Sequence, residues 1–97
     1  MTLPVVWIPD ANQDLLAARA WYANIHPELA ERFALAVEAT VEALAQRPLQ
    51  FPMVHRSIRR AGVRRFPYGL FFEVQENRIV VTACFHGRRD PTRWQAR

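Results

Sequence analysis

The side chains best suited to chemistry lie near the C-terminus, where His86 is followed by Arg88, Arg89 and Arg93. Histidine has an unperturbed pKa close to neutrality, so His86 is the best candidate for a general base. Arginine stays charged and presents a planar fork of donors to phosphate or carboxylate, but it is a poor proton shuttle. This group predicts an anion-binding surface. If His86 accepts a proton from a molecule held there, the group also predicts a candidate general-base site.

Each of these residues also has a structural interpretation. His86 could end a strand and order the arginine-rich loop that follows it. The pair Arg64-Arg65 either binds a partner or guards an exposed strand edge against aggregation. Trp94 is interpreted as a packing lid over a sheet, with a stacking platform for a base as the alternative. Glu73 could assist His86 if the two share a strand face.

Several other site classes are excluded by the composition. The single cysteine, Cys84, rules out an internal disulfide framework, and Cys84 with His86 would supply only two metal ligands, so we expect no metal site. We interpret Cys84 as a small core residue. The chain has three glycines and one serine, Ser57, in settings that fit neither a phosphate-binding loop nor a hydrolase nucleophile. No cofactor is expected.

The charge of the chain is divided between its halves. All thirteen basic residues are arginine, and the formal net charge is +4. Residues 1–48 carry three arginines and six acidic residues, whereas residues 49–97 carry ten arginines and three acidic residues, which gives net charges of −3 and +7. The C-terminal half is therefore expected to meet an anionic partner, either nucleic acid or an acidic protein.

The length of 97 residues, of which 51% are hydrophobic, predicts one globular domain spanning residues 1–97. No apolar run is long enough to cross a bilayer, and the first ten residues do not have the pattern of a signal peptide. We therefore expect a cytoplasmic protein with no membrane partner.

The hydrophobic periodicity predicts the elements that must position these side chains. Residues 5–9 form a first or edge strand, and two helices follow over about residues 11–24, with Asp10 as the N-cap, and 28–46. Residues 47–57 form the main loop. Three strands complete the chain. The first covers 58–66, holds Arg64 and Arg65, and is interrupted near Ala61-Gly62 by a bulge or turn. The second runs from about 70 to 74 and the third, an interior strand, from about 79 to 85, and the two are joined by a turn at Glu76-Asn77 with positive φ at the asparagine. The fold class is α+β, a helical hairpin packed on a small, mainly antiparallel sheet in the order β-α-α-β-β-β. Alanine-rich stretches of both helices leave shallow grooves that another helix could fill.

This order, together with several short motifs, resembles the RelE/ParE superfamily of type II toxins. The resemblance covers about residues 5–94, and the matching segments are Asp14-Leu15, Trp21-Tyr22, Ala30-Glu31-Arg32-Phe33, Arg65-Phe66-Pro67-Tyr68, His86-Gly87-Arg88-Arg89-Asp90-Pro91 and Trp94.

The resemblance implies a toxin that a cognate antitoxin neutralises, in a toxin–antitoxin hetero-oligomer. ParE-like members inhibit DNA gyrase, whereas RelE-like members cut mRNA on the ribosome with basic residues and commonly a C-terminal tyrosine or histidine. Arg88 or Arg89 aligns with a phosphate-binding arginine of RelE-like toxins. The RelE lysines and the tyrosine have no counterpart here, which favours the ParE-like branch. Membership of that branch implies a non-enzymatic inhibitor encoded by an addiction or plasmid-stabilisation module.

Three hypotheses therefore stay open. In the ParE-like one, the residues that bind a partner or anion are Arg64, Arg65, Arg88, Arg89, Arg93 and Trp94. In the RelE-like one, an mRNA endonuclease uses His86, Arg65, Arg88 and Arg89. In the third, the chain is a decayed toxin that binds only its antitoxin.

Overall fold

Two long helices, each beginning at a proline, form the first layer of the structure. The computed structural model describes residues 2–87 and 91–97. Helix α1 is Pro9–Ile25 and α2 is Pro27–Gln46, and His26 alone separates them. His26 is extended, as expected before a proline, and its Nδ1 accepts a hydrogen bond of 3.2 Å from the Glu28 N–H at the start of α2. The predicted helical hairpin is confirmed.

The predicted N-cap of α1 is wrong. Ile8 is the N-cap residue, no side chain caps this helix, and Asp10 lies in the first turn. Pro9 accounts for the difference, because its fixed φ suits the first helical position and its missing N–H would have no partner there. The helix therefore begins before Asp10.

Five strands form a single sheet in the order β1-β5-β4-β3-β2. Their bounds are Val5–Trp7, Met53–His55, Ile58–Gly62, Tyr68–Val74 and Ile79–His86 for β1 to β5. Strand β1 pairs in parallel with β5, and the other neighbours are antiparallel. The mainly antiparallel sheet, the edge position of β1 and the interior position of β5 are confirmed. The chain also has an additional edge strand, β2, inside the segment predicted to be a loop, and a short helix α3 at Pro91–Gln95.

The strand predicted over residues 58–66 stops at the interruption expected near Ala61-Gly62 and does not resume. Strand β3 ends at Gly62, and a turn follows in which the Val63 N–H bonds to the Tyr68 carbonyl (2.8 Å) and the Phe66 N–H to the Val63 carbonyl (3.1 Å). Arg64 and Arg65 therefore lie in a turn rather than in a strand, and Arg65 has a φ of 70°. A left-handed residue cannot continue a strand, so no strand runs through Arg65.

The turn between β4 and β5 lies where it was predicted, but its conformation differs. The Gln75 N–H bonds to the Arg78 carbonyl at 2.8 Å around Glu76 and Asn77. Among the described residues, the non-glycine residues with positive φ are Arg56 and Arg65, so Asn77 does not supply one. A hydrogen bond of 2.8 Å from Arg78 Nε to Gln75 Oε1 joins the two flanking side chains instead.

The two faces of the sheet carry separate apolar clusters. The helices pack on one face, where side chains such as Phe33, Leu44 and Phe72 are fully buried. The opposite face, which we call the open face, holds a small cluster of Phe71, Ala83, Phe85 and Trp94 with Ile58 beside it. None of the described helices is long and apolar enough to span a membrane.

Candidate functional site

The β3–β4 turn and the end of β5 lie side by side at one end of the sheet. The Gly87 N–H donates a hydrogen bond of 2.7 Å to the Pro67 carbonyl, which joins the two segments directly. Arg64, Arg65 and His86 therefore lie at the same end, as expected from antiparallel pairing. Arg88 and Arg89 lie outside the described residues, so their predicted roles stay predictions.

His86 packs on the helix-bearing side of the sheet. It lies opposite Tyr68 in the β4–β5 register, and the two rings are 5.6 Å apart. A small pocket of about 210 Å³ beside them is also lined by Trp21, Cys84 and Arg93. Contact with an aromatic neighbour at a strand end fits the structural interpretation of His86.

Glu73 cannot assist His86. The register places Glu73 opposite Val80 near the other end of β5, and along β4 it lies five residue steps from Tyr68, the partner of His86, or roughly 16 Å at strand spacing. Glu73 also shares the open face with Phe71, two residues away along β4, whereas His86 alternates with Phe85 of that face. A proton-transfer pair of these two residues is therefore excluded.

Arg64 and Arg65 line a shallow groove along α2, which we call the α2 groove. Its volume is about 710 Å³, and Arg32 completes the basic part of its lining. The remaining lining is mostly apolar: Leu29, Ala36, Ala39, Thr40, Ala43, Phe51, Gly62 and Phe66. The Arg32–Glu28 pair is long, at 4.0 Å, and both side chains are about 70% exposed, so it neutralises Arg32 weakly. The predicted groove on the alanine-rich second helix is thus present, with a basic rim.

Trp94 acts as a packing residue. It is 9% exposed, and its ring stacks on Phe71 with centroids 4.1 Å apart and an interplanar angle of 20°. Its buried ring cannot also serve as a platform for a base, so of the two interpretations the packing lid is the one the geometry fits. The Arg93 guanidinium lies over Phe85 at 5.2 Å from the ring centre and remains at the surface.

Sequence reasoning missed a charged cluster that fastens the C-terminal residue to α1. Arg97 binds both carboxylate oxygens of Asp14, with 3.1 Å between Nη2 and Oδ1, and its Nη1 also donates to the Thr82 carbonyl at 3.2 Å. Asp14 Oδ2 accepts the Cys84 N–H at 3.1 Å, and Asp10 lies 3.7 Å from Arg97 Nε. The hydrogen bond to Asp14 is the main reason that the pKa of Arg97 is raised. We call this cluster the terminal clamp.

The terminal clamp closes the edge of β5 where β1 ends. Strand β1 pairs with β5 as far as Val81, and β5 then bulges, because Phe71 faces Ala83 while Phe72 faces Val81. The bulge leaves the Thr82 carbonyl and the Cys84 N–H for the clamp to bind. Asp14 and Arg97 are 83 positions apart, so no local pattern could pair them. The sequence signal that could have found Asp14 is its position on α1, three residues after Ala11 and four before Ala18, which are both buried. This spacing places its carboxylate on the buried face of the helix.

Cys84 is a core residue, as predicted. It is 2% exposed, and burial, followed by the nearby charge of Asp14, raises the pKa of its thiol to about 12. The thiol stays protonated near neutral pH, so it is a poor nucleophile and metal ligand. Within residues 2–87 and 91–97, the His, Cys, Asp and Glu side chains form no group of three that could hold a metal ion.

The comparisons with known proteins agree with this geometry. Residues 5–91 match the family described as ParE toxin of type II toxin-antitoxin system, parDE. Among solved structures, a chain of the chromosomal ParDE toxin–antitoxin system from P. aeruginosa is similar, with a TM-score of 0.77, 22% identity, and coverage of 88% of this chain and 96% of that one.

A second similar structure belongs to the toxin–antitoxin complex RelBE2 from Mycobacterium tuberculosis, with a TM-score of 0.60, 21% identity, and coverage of 89% and 92%. No curated protein matches the chain significantly. Because the family match spans most of the sequence, this chain belongs to the ParE toxin family of type II toxin–antitoxin systems.

Proposed function

From its membership of the ParE toxin family, we propose that this chain inhibits DNA gyrase by binding it and that a cognate antitoxin neutralises it in the cytoplasm. The observation that carries the proposal is the family match over residues 5–91. Within the RelE/ParE superfamily that the sequence resembles, DNA gyrase is the target of the ParE-like members. Inhibition by binding needs a charged surface and no proton shuttle, which suits a chain whose basic residues are all arginine.

The α2 groove is the proposed seat of an antitoxin helix. Its apolar lining would bury one face of the helix, and Arg32, Arg64 and Arg65 would meet acidic residues on the helix flank. Exposed Leu35, also on α2, is 64% accessible, and a bound antitoxin would reduce such apolar exposure. The two similar structures described above come from toxin–antitoxin systems, which supports a partner of this kind.

The RelE-like alternative, an mRNA endonuclease acting on the ribosome, rests on two observations. The RelBE2 complex shares the fold, and Arg65 and His86 lie at the same end of the sheet. In that mechanism His86 would take the 2′-hydroxyl proton while Arg65, with Arg88 or Arg89, stabilised the phosphate. The edge-to-face packing of His86 against Tyr68 on the helix-bearing side makes this the less favoured candidate.

Induced expression without the antitoxin separates the candidates. We expect plasmid DNA to lose negative supercoiling while cellular mRNA stays intact, and His86→Gln to remain toxic. Cleaved mRNA with normal supercoiling, together with loss of toxicity in His86→Gln, would establish the endonuclease instead. Cells that grow normally with unchanged DNA and mRNA would leave a chain that binds only its antitoxin.

A further inference from the structure

All three glycines of the chain surround one guanidinium group, that of Arg60. Gly62 and Gly69 face each other in the β3–β4 register, and Gly87 follows the end of β5. None of the three has a positive φ, so the backbone conformation does not demand glycine at these positions. The remaining physical reason for glycine is the room it leaves for a close neighbour.

The distances show that Gly69 makes most of this room. A Cβ atom at position 69 would lie 2.5 Å from Arg60 Nε and 2.8 Å from its Cζ, closer than real atoms approach. At Gly87 a Cβ would be a tight 3.3 Å from Nη2, and at Gly62 an ordinary 3.5 Å from Nη1. The guanidinium therefore lies flat on the open face of the sheet. Its Cζ is also 6.0 Å from the ring centre of Phe71, the cross-strand partner of Arg60.

Arg60 carries a fixed charge without a counter-ion among the described residues. Within residues 2–87 and 91–97, its guanidinium has no hydrogen bond or ion pair, whereas Arg59 binds the Phe51 carbonyl, Arg78 binds Gln75 and Arg97 binds Asp14. No buried side-chain nitrogen or oxygen in that part of the chain lacks a partner, so the Arg60 nitrogens remain open to solvent. A half-buried guanidinium that is already positioned loses little conformational entropy when it binds an anion.

We propose that Arg60 binds a backbone phosphate of a nucleic acid on the open face of the sheet, and that Gly69 is required to seat the guanidinium there. The guanidinium fork matches the geometry of phosphate oxygens. The C-terminal half of the chain has a net charge of +7, which favours an extended polyanion over an isolated acidic side chain. This proposal is independent of the gyrase target, and Arg60 is not among the site residues predicted from the sequence.

A matched pair of glycine variants tests the site without changing the net charge. Gly69→Ala displaces the flexible end of Arg60, whereas Gly62→Ala places its Cβ at ordinary contact distance from the same side chain. The probe is a fluorescein-labelled single-stranded DNA of about 12 nucleotides, followed by fluorescence anisotropy at several salt concentrations. We expect Gly69→Ala to weaken binding about tenfold and to reduce the slope of log K against log salt by about 1, and Gly62→Ala to bind as the unchanged chain does.

Charge-removing variants provide the second comparison. Arg60→Gln should match Gly69→Ala, and Arg78→Gln, which removes the same charge at the opposite end of β4, should retain most of the affinity. Equal binding by Gly69→Ala and Gly62→Ala would overturn the proposal. So would equal losses in Arg60→Gln and Arg78→Gln, which would indicate only a diffuse effect of net charge.

A titration of the unchanged protein removes any dependence on the folding of variants. In a proton–nitrogen spectrum, the Nε–H signal of Arg60 should shift on adding the oligonucleotide and, at higher concentration, inorganic phosphate. A signal that does not move with either ligand would refute the phosphate site. A signal that responds to an acidic peptide but not to the oligonucleotide would assign the site to a protein carboxylate and would equally overturn the proposal.

Discussion

The terminal clamp should behave as a coupled unit whose loss destabilises the whole domain. The side chains of Arg97 and Asp14 are only 17% and 13% exposed, so their pair is shielded from solvent. Asp14→Ala removes both the partner of Arg97 and the acceptor of the Cys84 N–H, and we expect it to cost about 3 kcal/mol of unfolding free energy. Arg97→Ala leaves Asp14 bonded to Cys84 and should cost about 2 kcal/mol.

The double variant measures the coupling directly. Because Asp14→Ala already abolishes the interaction with Arg97, the double variant should also lose about 3 kcal/mol, which gives a coupling energy of about 2 kcal/mol. The assay is urea denaturation followed by circular dichroism. The melting temperature of Asp14→Ala should fall by roughly 15 °C, since about 1 kcal/mol shifts a domain of this size by roughly 4–8 °C.

An exposed ion pair provides the control. Arg32 lies 4.0 Å from Glu28, with both side chains about 70% exposed, and Arg32→Ala should cost less than about 0.5 kcal/mol. If the losses of Asp14→Ala and Arg97→Ala simply added, to within about 0.3 kcal/mol, the two residues would not act together and the clamp would be refuted.

Three further predictions concern the core, the open face and the α2 groove. Burial raises the pKa of the Cys84 thiol to about 12 in the folded chain, against 9.0 in the unfolded chain, so between these pH values the unfolding free energy should fall by about 1.4 kcal/mol per pH unit through this group. In Cys84→Ala the unfolding free energy should fall less steeply with pH. Equal pH dependence in the two proteins would contradict the buried thiol. Trp94→Ala should cost about 3 kcal/mol in urea denaturation because it uncovers Phe71; a loss below about 1 kcal/mol would show that α3 does not pack there. Ala39→Arg should lower antitoxin affinity at least about tenfold in calorimetry, whereas Ala20→Arg, an exposed change on α1, should not; equal effects would exclude the α2 groove as the docking site.

The two long helices and strands β4 and β5 could be predicted because each is specified by residues close together in the sequence. The proline after His26 divides the helices, the 3.6-residue spacing of Phe33, Val37 and Leu44 marks the buried face of α2, and alternating apolar residues mark β4 and β5. These signals were sufficient for the α+β fold class and the order of its main elements. Strand β2 was missed because its three residues have too little length to show a period and are flanked by Pro52 and a left-handed Arg56.

The candidate sites were less predictable because they depend on side chains brought together from distant positions. The setting of Arg60 depends on two distant glycines, Gly69 in β4 and Gly87 just after β5, whose proximity to its guanidinium no local pattern shows. The terminal clamp needs a bulge in β5 and a residue 83 positions from its partner. The break after Gly62 was predicted, but Arg64 and Arg65 were expected to continue the strand, since no sequence rule favours an arginine with positive φ.

The central claim is tested most directly by DNA gyrase itself. Purified gyrase should be titrated with the purified chain in a plasmid supercoiling assay, and the proposed cognate antitoxin should then be added. We predict that supercoiling is lost as the chain approaches the concentration of gyrase, that His86→Gln inhibits equally well, and that the antitoxin restores activity. Gyrase that keeps full supercoiling activity in a large excess of the folded chain would contradict the account.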